Sequence, residues 1–210
     1  ESLKNYSDGG SDIPLRTVID VDKDSSSTAI FMPGYIKDKK ALGMKIIDIY
    51  PGNIDKGLVS SPSTMILIDK DNGFVKAILD GTILTRLRTG AVSGAATEVL
   101  ANKDAKSFLL IGTGGQAGTQ LEAVLAVRDI EKSYVYDVNY ERAEAFAKEM
   151  NEKLKGYGAK ILAIKELDEV LGDVDIITTV TTSKKPVFDG NMVKKGAHVN
   201  SVGSYTPDMQ

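Results

Sequence analysis

The feature that most constrains this chain is a glycine-rich turn between a strand-like run and a helix-like run, in the stretch FLLIGTGGQAGTQLEAV over residues 108–124. The apolar run predicts a buried strand, and the apolar spacing after the turn predicts a helix over 117–127. Gly112 permits a tight turn, Gly114 lets main chain approach a diphosphate, and Ala117 lets the helix pack closely on the strand. A strand, a glycine turn with this spacing and a helix, in that order, predict dinucleotide binding. The alternative is a glycine-rich turn that binds nothing.

The alternation of strands and helices continues along the second half of the chain. Strands are predicted at 107–112, 133–137, 160–164, 175–180 and 198–203, and helices at 89–100, 117–127, 141–155 and 166–171. Strands that alternate with helices form βαβ units and a parallel sheet. We therefore predict an α/β fold, with a Rossmann dinucleotide-binding domain over residues 86–210.

The first half of the chain has a different pattern. Between Ile13 and Leu79, β-rich runs are separated by Gly, Pro, Asn and Asp, and the segment 71–73, Asp-Asn-Gly, predicts a hairpin turn. This pattern predicts a mostly antiparallel, β-rich domain over residues 1–85, to which we assign dimerisation. Sheets with exposed edges and apolar faces often pair with a second copy, so we expect a homodimer.

Composition excludes several classes of function. The formal net charge of -3 argues against a nucleic-acid binder, and the absence of cysteine excludes disulfides and thiolate chemistry. The one histidine, His198, rules out multi-histidine metal sites and is assigned no role, and we predict no metal site. No apolar run is long enough to cross a bilayer, and the N-terminus has no signal-peptide pattern. These features favour a cytoplasmic enzyme or binding protein, and the missing initial Met suggests a fragment of a longer protein.

Four further residues are candidates for cofactor contacts. Asp137 ends the second predicted strand, where it could accept hydrogen bonds from ribose hydroxyls and repel a 2′-phosphate, which favours NAD over NADP. An aspartate there could also be only a turn former or helix cap. Thr178 and Thr181 lie at the carboxyl end of the fourth strand and Val202 at that of the fifth, where open α/β sheets bind ligands. The competing interpretation is that either threonine is present only because β-branched residues favour strands.

Several segments together resemble the ornithine cyclodeaminase/mu-crystallin family. In chain order they are IPLRT, GMKIIDIYPGN, LRTGAVSGAAT, GTGGQAGTQ and TTSKKPVFDG…VNSVGSYTPDM. The family includes ornithine cyclodeaminases, alanine dehydrogenases, ketimine reductases and a thyroid-hormone-binding crystallin. The resemblance implies a nicotinamide cofactor and a dimer. It also implies that residues 1–85 are a substrate-binding domain that lacks a returning C-terminal segment.

The resemblance also implies a site between the two domains for an amino acid or imino acid. Arg16 matches the arginine that binds the substrate carboxylate, Lys45 the lysine near the reacting carbon, and Arg88 an arginine near cofactor and substrate. Family cofactor contacts fall at Gly115, Gln116 and Asp137. An arginine fork can hold a carboxylate by two parallel hydrogen bonds, and a desolvated lysine can transfer protons at neutral pH.

One position departs from the cyclodeaminase pattern. Those members carry an aspartate in a motif like G-G-D-x-P, but the aligned residue here is Tyr205 and the nearest acid is Asp208. Asp208 is therefore a candidate catalytic residue, or else a turn residue or helix cap. The departure favours an amino-acid dehydrogenase or ketimine reductase over a cyclodeaminase. A crystallin-like binding protein with little catalysis is the alternative, and the retention of Lys45 argues against it.

Overall fold

The computed structural model describes residues 1–203. They form two compact units, one over Glu1–Thr85 and one that begins at Arg86. None of the helices within these residues is long and apolar enough to cross a membrane.

The first unit is built on a six-stranded sheet in which every pairing is antiparallel. The strands are β1 (Ser11–Asp12), β2 (Thr17–Asp22), β3 (Ser27–Ile36), β4 (Ala41–Ile49), β5 (Ser63–Ile68) and β6 (Val75–Asp80). Their order is β1-β3-β4-β5-β6, with β2 also paired to β3. A short helix α1 (Ser2–Ser7) precedes the sheet, and a 3-10 helix (Pro51–Lys56) joins β4 to β5. The predicted hairpin joins β5 to β6, with Gly73 at φ +79°.

Helix α2 (Gly81–Leu100) is longer than its sequence pattern predicts, because it begins at Gly81 rather than at Thr89. The Asp80 carboxylate accepts hydrogen bonds from the backbone N–H groups of Thr82 at 2.7 Å and Ile83 at 3.3 Å. These bonds satisfy donors that have no partner within the helix and so start it early. In the sequence, Asp80 is followed by a glycine, and the pair Asp-Gly is typical of a turn. The cap is therefore not evident from the sequence.

The second unit confirms the predicted Rossmann-type fold. Its strands are β7 (Ser107–Ile111), β8 (Lys132–Tyr136), β9 (Lys160–Ala163), β10 (Ile176–Thr179) and β11 (His198–Ser201). The five strands are parallel in the order β11-β10-β7-β8-β9. Helices α3 (Ala117–Val127) and α4 (Tyr140–Lys153) connect them, whereas the predicted helix at 166–171 is only a 3-10 turn, Leu167–Glu169. The strand order reverses between β7 and β10, and such a switch point opens a crevice at the carboxyl ends of the strands.

Strand β7 is buried on both faces, which explains its continuous apolar sequence. Phe108 and Leu110 pack in the cluster formed with α3 and α4, and Leu109 packs in the opposite cluster with Leu171 and Ile177. Phe108, Leu109 and Leu110 have no solvent exposure. The strand that leads into the glycine turn is therefore held by close packing on both faces.

The C-terminus of α2 is capped by a buried arginine from the end of α3. Arg128 Nη2 donates to the carbonyl oxygens of Thr97 at 2.8 Å and Ala101 at 2.7 Å, and Nε donates to that of Asn102 at 2.9 Å. The Thr97 carbonyl also accepts from Ala101 N at 3.0 Å, so the guanidinium adds hydrogen bonds to carbonyls at the end of the helix. Its positive charge interacts favourably with the negative end of the helix dipole. The contact holds α2 against α3 at one end.

Asp175 links the start of β10 to the start of β7 by hydrogen bonds. Its ionisation should make the free energy of unfolding depend on pH. Its carboxylate accepts from Lys106 N at 2.9 Å and from Ser107 Oγ at 2.8 Å, and it pairs with Lys194. Burial raises the pKa of Asp175, but the ion pair with Lys194 and these hydrogen bonds outweigh it and lower the pKa to about 2. The stabilisation is present above the unfolded pKa of 3.8 and is lost as pH falls through about 2.

We expect Asp175→Asn to lower the free energy of unfolding at pH 7 by about 2 kcal/mol. Urea denaturation at pH 7 and at pH 2 measures the difference between the variant and the unsubstituted protein, which should shrink in acid. The exposed Asp173 offers a matched control, since Asp173→Asn should change little at either pH. A difference for Asp175→Asn that does not change with pH would show that its ionisation is not the source.

Candidate functional site

The glycine turn lies at the switch point between β7 and β10. Gly112 follows the last residue of β7, has φ +101°, and donates its N–H to the Tyr136 carbonyl at 2.8 Å. A Cβ at this position would stand 2.7 Å from the Val180 carbonyl oxygen. Both the left-handed backbone and the close approach of the chain after β10 therefore require glycine.

The next part of the turn is open. Gly114 and Gly115 are exposed, and a Cβ at Gly114 would have no neighbour within 4 Å among the described residues. Ala117, the first residue of α3, is fully buried, and no side chain of the described part of the chain caps this helix N-terminus. The main chain thus leaves room beside Gly114 and directs helix N–H groups toward it, which is the arrangement that binds anions.

Asp137, at the end of β8, is bonded directly to the turn. Its Oδ2 accepts from Thr113 N at 3.0 Å and from Thr113 Oγ1 at 2.6 Å, while Oδ1 accepts from Asn139 N at 3.1 Å. Burial raises the pKa of Asp137, but these hydrogen bonds and the charge of Arg142 outweigh it and hold that pKa below its usual range. The carboxylate is therefore ionised and oriented, with acceptor capacity left for hydroxyl groups. The role of Thr113 has no signal in the sequence, because it depends on β7 and β8 being neighbours.

A groove of about 530 Å³ extends from the turn between α3 and α4. Its walls include the exposed turn itself, the cations Arg86 and Arg142, and the apolar side chains Phe146 and Met150. This volume lies within the range of small-molecule sites. Glu122, Glu149 and Lys153 line the groove as well, so it offers charges of both signs beside an apolar wall.

Two other predicted residues lie at the same edge of the sheet. Thr181 is half-buried, and its Cγ2 is 3.1 Å from the position that a Cβ on Gly112 would occupy. Val202 follows β11 and donates its N–H to the Thr179 carbonyl at 2.9 Å. The carboxyl ends of β7, β10 and β11 thus place Gly112, Thr181 and Val202 together, and their contacts with a cofactor stay predictions.

Thr178 is placed differently from the sequence-based expectation. Its side chain is fully buried, and its Oγ1 accepts from Asn200 Nδ2 at 3.3 Å. The same amide donates to Thr97 Oγ1 at 3.0 Å, and His198 Nε2 lies 3.0 Å from Asn200 Oδ1. The alternation of side chains along β10 turns residue 178 inward, so the structure removes Thr178 from the candidates for a side-chain contact with a ligand.

Arg16 and Lys45 belong to the first unit, where strand register relates them. Lys45 is half-buried in β4 and lies opposite Met32 of β3. Thr17 pairs with Phe31, so the same register places the exposed Arg16 opposite Met32 from the other side. Directly opposed residues share a face, and two strand spacings separate Arg16 from Lys45 by roughly 10 Å. Their roles toward a substrate stay predictions.

On α2 the structure draws attention to Arg86 as well as to the predicted Arg88. Arg88 is exposed, whereas Arg86 is half-buried with Nη2 3.6 Å from the Cβ position of Gly115. Residues two apart do not share a helix face, so the two arginines point in different directions. The spacing of Arg86, Gly90 and Gly94 at four-residue intervals is the sequence signal that could have identified this face.

Two predicted residues are less informative. Gln116 precedes α3, and its Oε1 is buried with no hydrogen-bond partner among the described residues, which leaves that atom free to accept from a ligand. Asp208 lies outside the described residues.

Comparison with known proteins agrees with this geometry. The chain is 39% identical over 209 residues to a Delta(1)-pyrroline-2-carboxylate reductase of Bacillus cereus, covering 100% of this chain and 63% of that protein. It is 41% identical to the Thermococcus litoralis Delta(1)-pyrroline-2-carboxylate reductase solved with NADH and L-proline, with a TM-score of 0.88, covering 95% of this chain and 60% of that one. An archaeal alanine dehydrogenase dimer with bound NAD is 33% identical, with a TM-score of 0.82 and coverage of 94% and 58%.

The chain therefore spans somewhat less than two thirds of the length of the curated relatives it matches. The model of one family matches residues 1–210, the whole chain. Together with the glycine turn and the strand order, this match identifies the chain as a member of the ornithine cyclodeaminase/mu-crystallin family.

Proposed function

We propose that this chain is the cofactor- and substrate-binding part of an NAD(H)-dependent oxidoreductase. Its reaction is hydride transfer at the α-carbon of an α-amino acid or its cyclic imine, of which Δ1-pyrroline-2-carboxylate is the first candidate. The observation that carries the proposal is the open glycine turn bonded to an ionised Asp137 through Thr113. The pyrroline-2-carboxylate reductases and the alanine dehydrogenase to which the chain is similar support the choice of reaction.

The second unit has the chemistry to hold a dinucleotide. The turn at Gly114 provides room and helix N–H groups for a diphosphate, and the Asp137 carboxylate provides an acceptor for ribose hydroxyls. Gly115, Gln116, Thr181 and Val202 complete the proposed contacts. When bound, the nicotinamide supplies or accepts the hydride. Asp137 disfavours the extra phosphate of NADP, so NAD is the proposed cofactor.

The first unit is proposed to hold the substrate. Arg16 would bind the carboxylate, and Lys45 would give a proton to the substrate nitrogen or remove one. Both side chains are long and project from one face of the sheet, so their charged ends can converge on a small imino acid. Met32 and Met65 lie opposite Lys45 on the two neighbouring strands. Arg88 and Asp208 stay candidates for contacts with substrate.

The direct test uses the full-length protein with NADH and Δ1-pyrroline-2-carboxylate, following NADH absorbance and proline formation. Pyruvate with ammonia tests alanine dehydrogenase activity, and ornithine with catalytic NAD tests cyclodeaminase activity through ammonia release. Lys45→Ala should lose turnover while it keeps NADH affinity. Ammonia from ornithine with no net change in NADH would identify a lyase instead. Tight NADH binding without turnover of any of these compounds would favour a binding protein.

Replacement of Asp137 tests the proposed choice of cofactor. Asp137→Asn keeps the hydrogen bond from Thr113 but removes the negative charge, so we expect the preference for NADH over NADPH to fall by about tenfold or more. Fluorescence titration of both cofactors measures the ratio of dissociation constants. Asp168→Asn, at an exposed carboxylate in the 3-10 turn after β9, serves as the control. An unchanged ratio in Asp137→Asn would contradict the assigned role.

We also propose that the protein acts as a cytoplasmic homodimer. The alanine dehydrogenase to which it is similar is a dimer. In the first unit, every residue of β2 is exposed, and its apolar residues Val18, Ile19 and Val21 are suited to burial against a second copy. Light scattering of the full-length protein tests the assembly.

A further inference from the structure

The guanidinium of Arg86 lies flat over the entrance to α3. Its Nη2, Cζ and Nε atoms are 3.6, 3.9 and 3.9 Å from the Cβ position of Gly115. Three atoms at nearly equal distances mean that the plane of the group, rather than its edge, faces the turn. The donor edge of the fork is therefore left for another partner.

Close packing of α2 on α3 places Arg86 there. Gly90 and Gly94 follow Arg86 at four-residue intervals and face Thr119 and Ala123 of α3, which follow Gly115 at the same intervals. The Cβ positions of the two glycines are 2.5 Å and 3.1 Å from the carbonyl oxygens of Thr119 and Ala123. Because the two backbones touch, the next residue along the same stripe of α2 can only extend across the start of α3.

This placement is electrostatically unfavourable for the protein alone. A helix N-terminus carries a partial positive charge, so a second cation beside it raises the free energy. No ion pair joins Arg86 to a carboxylate among residues 1–203. Two carboxylates line the same groove, of which Glu149 pairs with Lys153 and Glu122 pairs with no cation of the described residues. An anion bound at the donor edge of the guanidinium and beside the helix N-terminus would offset this repulsion.

We infer that Arg86 is a cofactor-binding residue that grips the diphosphate from the α2 side, opposite the backbone N–H groups of the glycine turn. This inference rests on the proposed function. It adds Arg86 to the cofactor site, whereas the match to the family motif had assigned only Arg88. Arg86 supplies two donors to phosphate oxygens, and its partial burial spares much of the cost of ordering a flexible side chain. The anion in turn relieves the repulsion between guanidinium and helix.

The experiment compares Arg86→Met and Arg86→Lys with the unsubstituted full-length protein. Isothermal titration measures binding of NADH and of ADP-ribose, which keeps the diphosphate but lacks nicotinamide. We expect Arg86→Met to weaken both about tenfold to a hundredfold, and Arg86→Lys to recover part of the loss. Lys148→Met, at an exposed site on α4, removes the same charge and should have no such effect.

Melting without cofactor separates a binding role from a packing role. If Arg86 serves the diphosphate, Arg86→Met should melt at the same or a higher temperature, because a cation leaves the helix N-terminus. A lower melting temperature with unchanged ADP-ribose affinity would overturn the inference and leave Arg86 a packing residue. Failure of the unsubstituted protein to bind either NADH or ADP-ribose would instead overturn the proposed function, and the inference with it.

Discussion

Gly112→Ala is expected to weaken NADH binding at least a hundredfold and to destabilise the second unit by about 2–4 kcal/mol. The backbone at this residue has φ +101°, which a residue with a side chain rarely adopts. The new methyl carbon would also stand 2.7 Å from the Val180 carbonyl oxygen and 3.1 Å from Thr181 Cγ2. The carbonyl belongs to the main chain, so relief requires β7 and β10 to separate where the turn is formed.

Gly114→Ala is the matched comparison for this prediction. A Cβ at Gly114 meets no described atom within 4 Å, so the substitution should leave folding intact and weaken only cofactor binding. Urea denaturation and NADH titration of the two variants separate the roles of the two glycines. Normal stability and normal NADH affinity in Gly112→Ala would contradict the geometry of the turn.

Gly90→Ala is expected to lower the free energy of unfolding by about 2–4 kcal/mol and the melting temperature by roughly 5–15 °C. Alanine inside a helix ordinarily stabilises by about 1 kcal/mol relative to glycine, so the expected sign is opposite to that of helix propensity. The reason is that the new Cβ would lie 2.5 Å from the Thr119 carbonyl oxygen and 2.9 Å from its carbon. Helices α2 and α3 would have to move apart along their whole contact.

Gly118→Ala on α3 is the control, because its Cβ would make an ordinary contact of 3.5 Å with Met150 Sδ. Differential scanning calorimetry should find this variant as stable as the unsubstituted protein, or more stable. Gly90→Ala should also weaken NADH binding, since it displaces Arg86 from the turn. A stabilised Gly90→Ala variant would mean that the two helices are not in backbone contact.

Much of the fold could be predicted from the sequence because it depends on local patterns. The alternation of apolar strands and periodic helices predicts the βαβ order of the second unit, and Asp-Asn-Gly predicts the hairpin between β5 and β6. The start of α2 was predicted too late, because the Asp80 cap is followed by a glycine. At this boundary the glycine predicts a turn and Asp80 predicts a helix cap. The hydrogen bonds that Asp80 accepts decide where the helix begins.

The candidate site depended more on packing between distant residues. The motif indicates where a diphosphate would bind, but not that Thr113 would orient Asp137 or that Arg86 would cover Gly115. In the same way, the inward orientation of Thr178 follows from Asn200 and Thr97, which lie on other elements. None of these pairs is adjacent in the sequence. The four-residue spacing of Arg86, Gly90 and Gly94 marks one face of α2, but no local pattern says what that face or the other side chains meet.

The amino-acid sequence by itself determined the family, the two kinds of sheet and the position of the glycine turn, because turn chemistry and hydrophobic period act over a few neighbouring residues. Only the tertiary structure decided which side chains meet at the turn. Their partners come from α2, β8 and β10, which the order of the parallel strands and the close contact of α2 with α3 bring together.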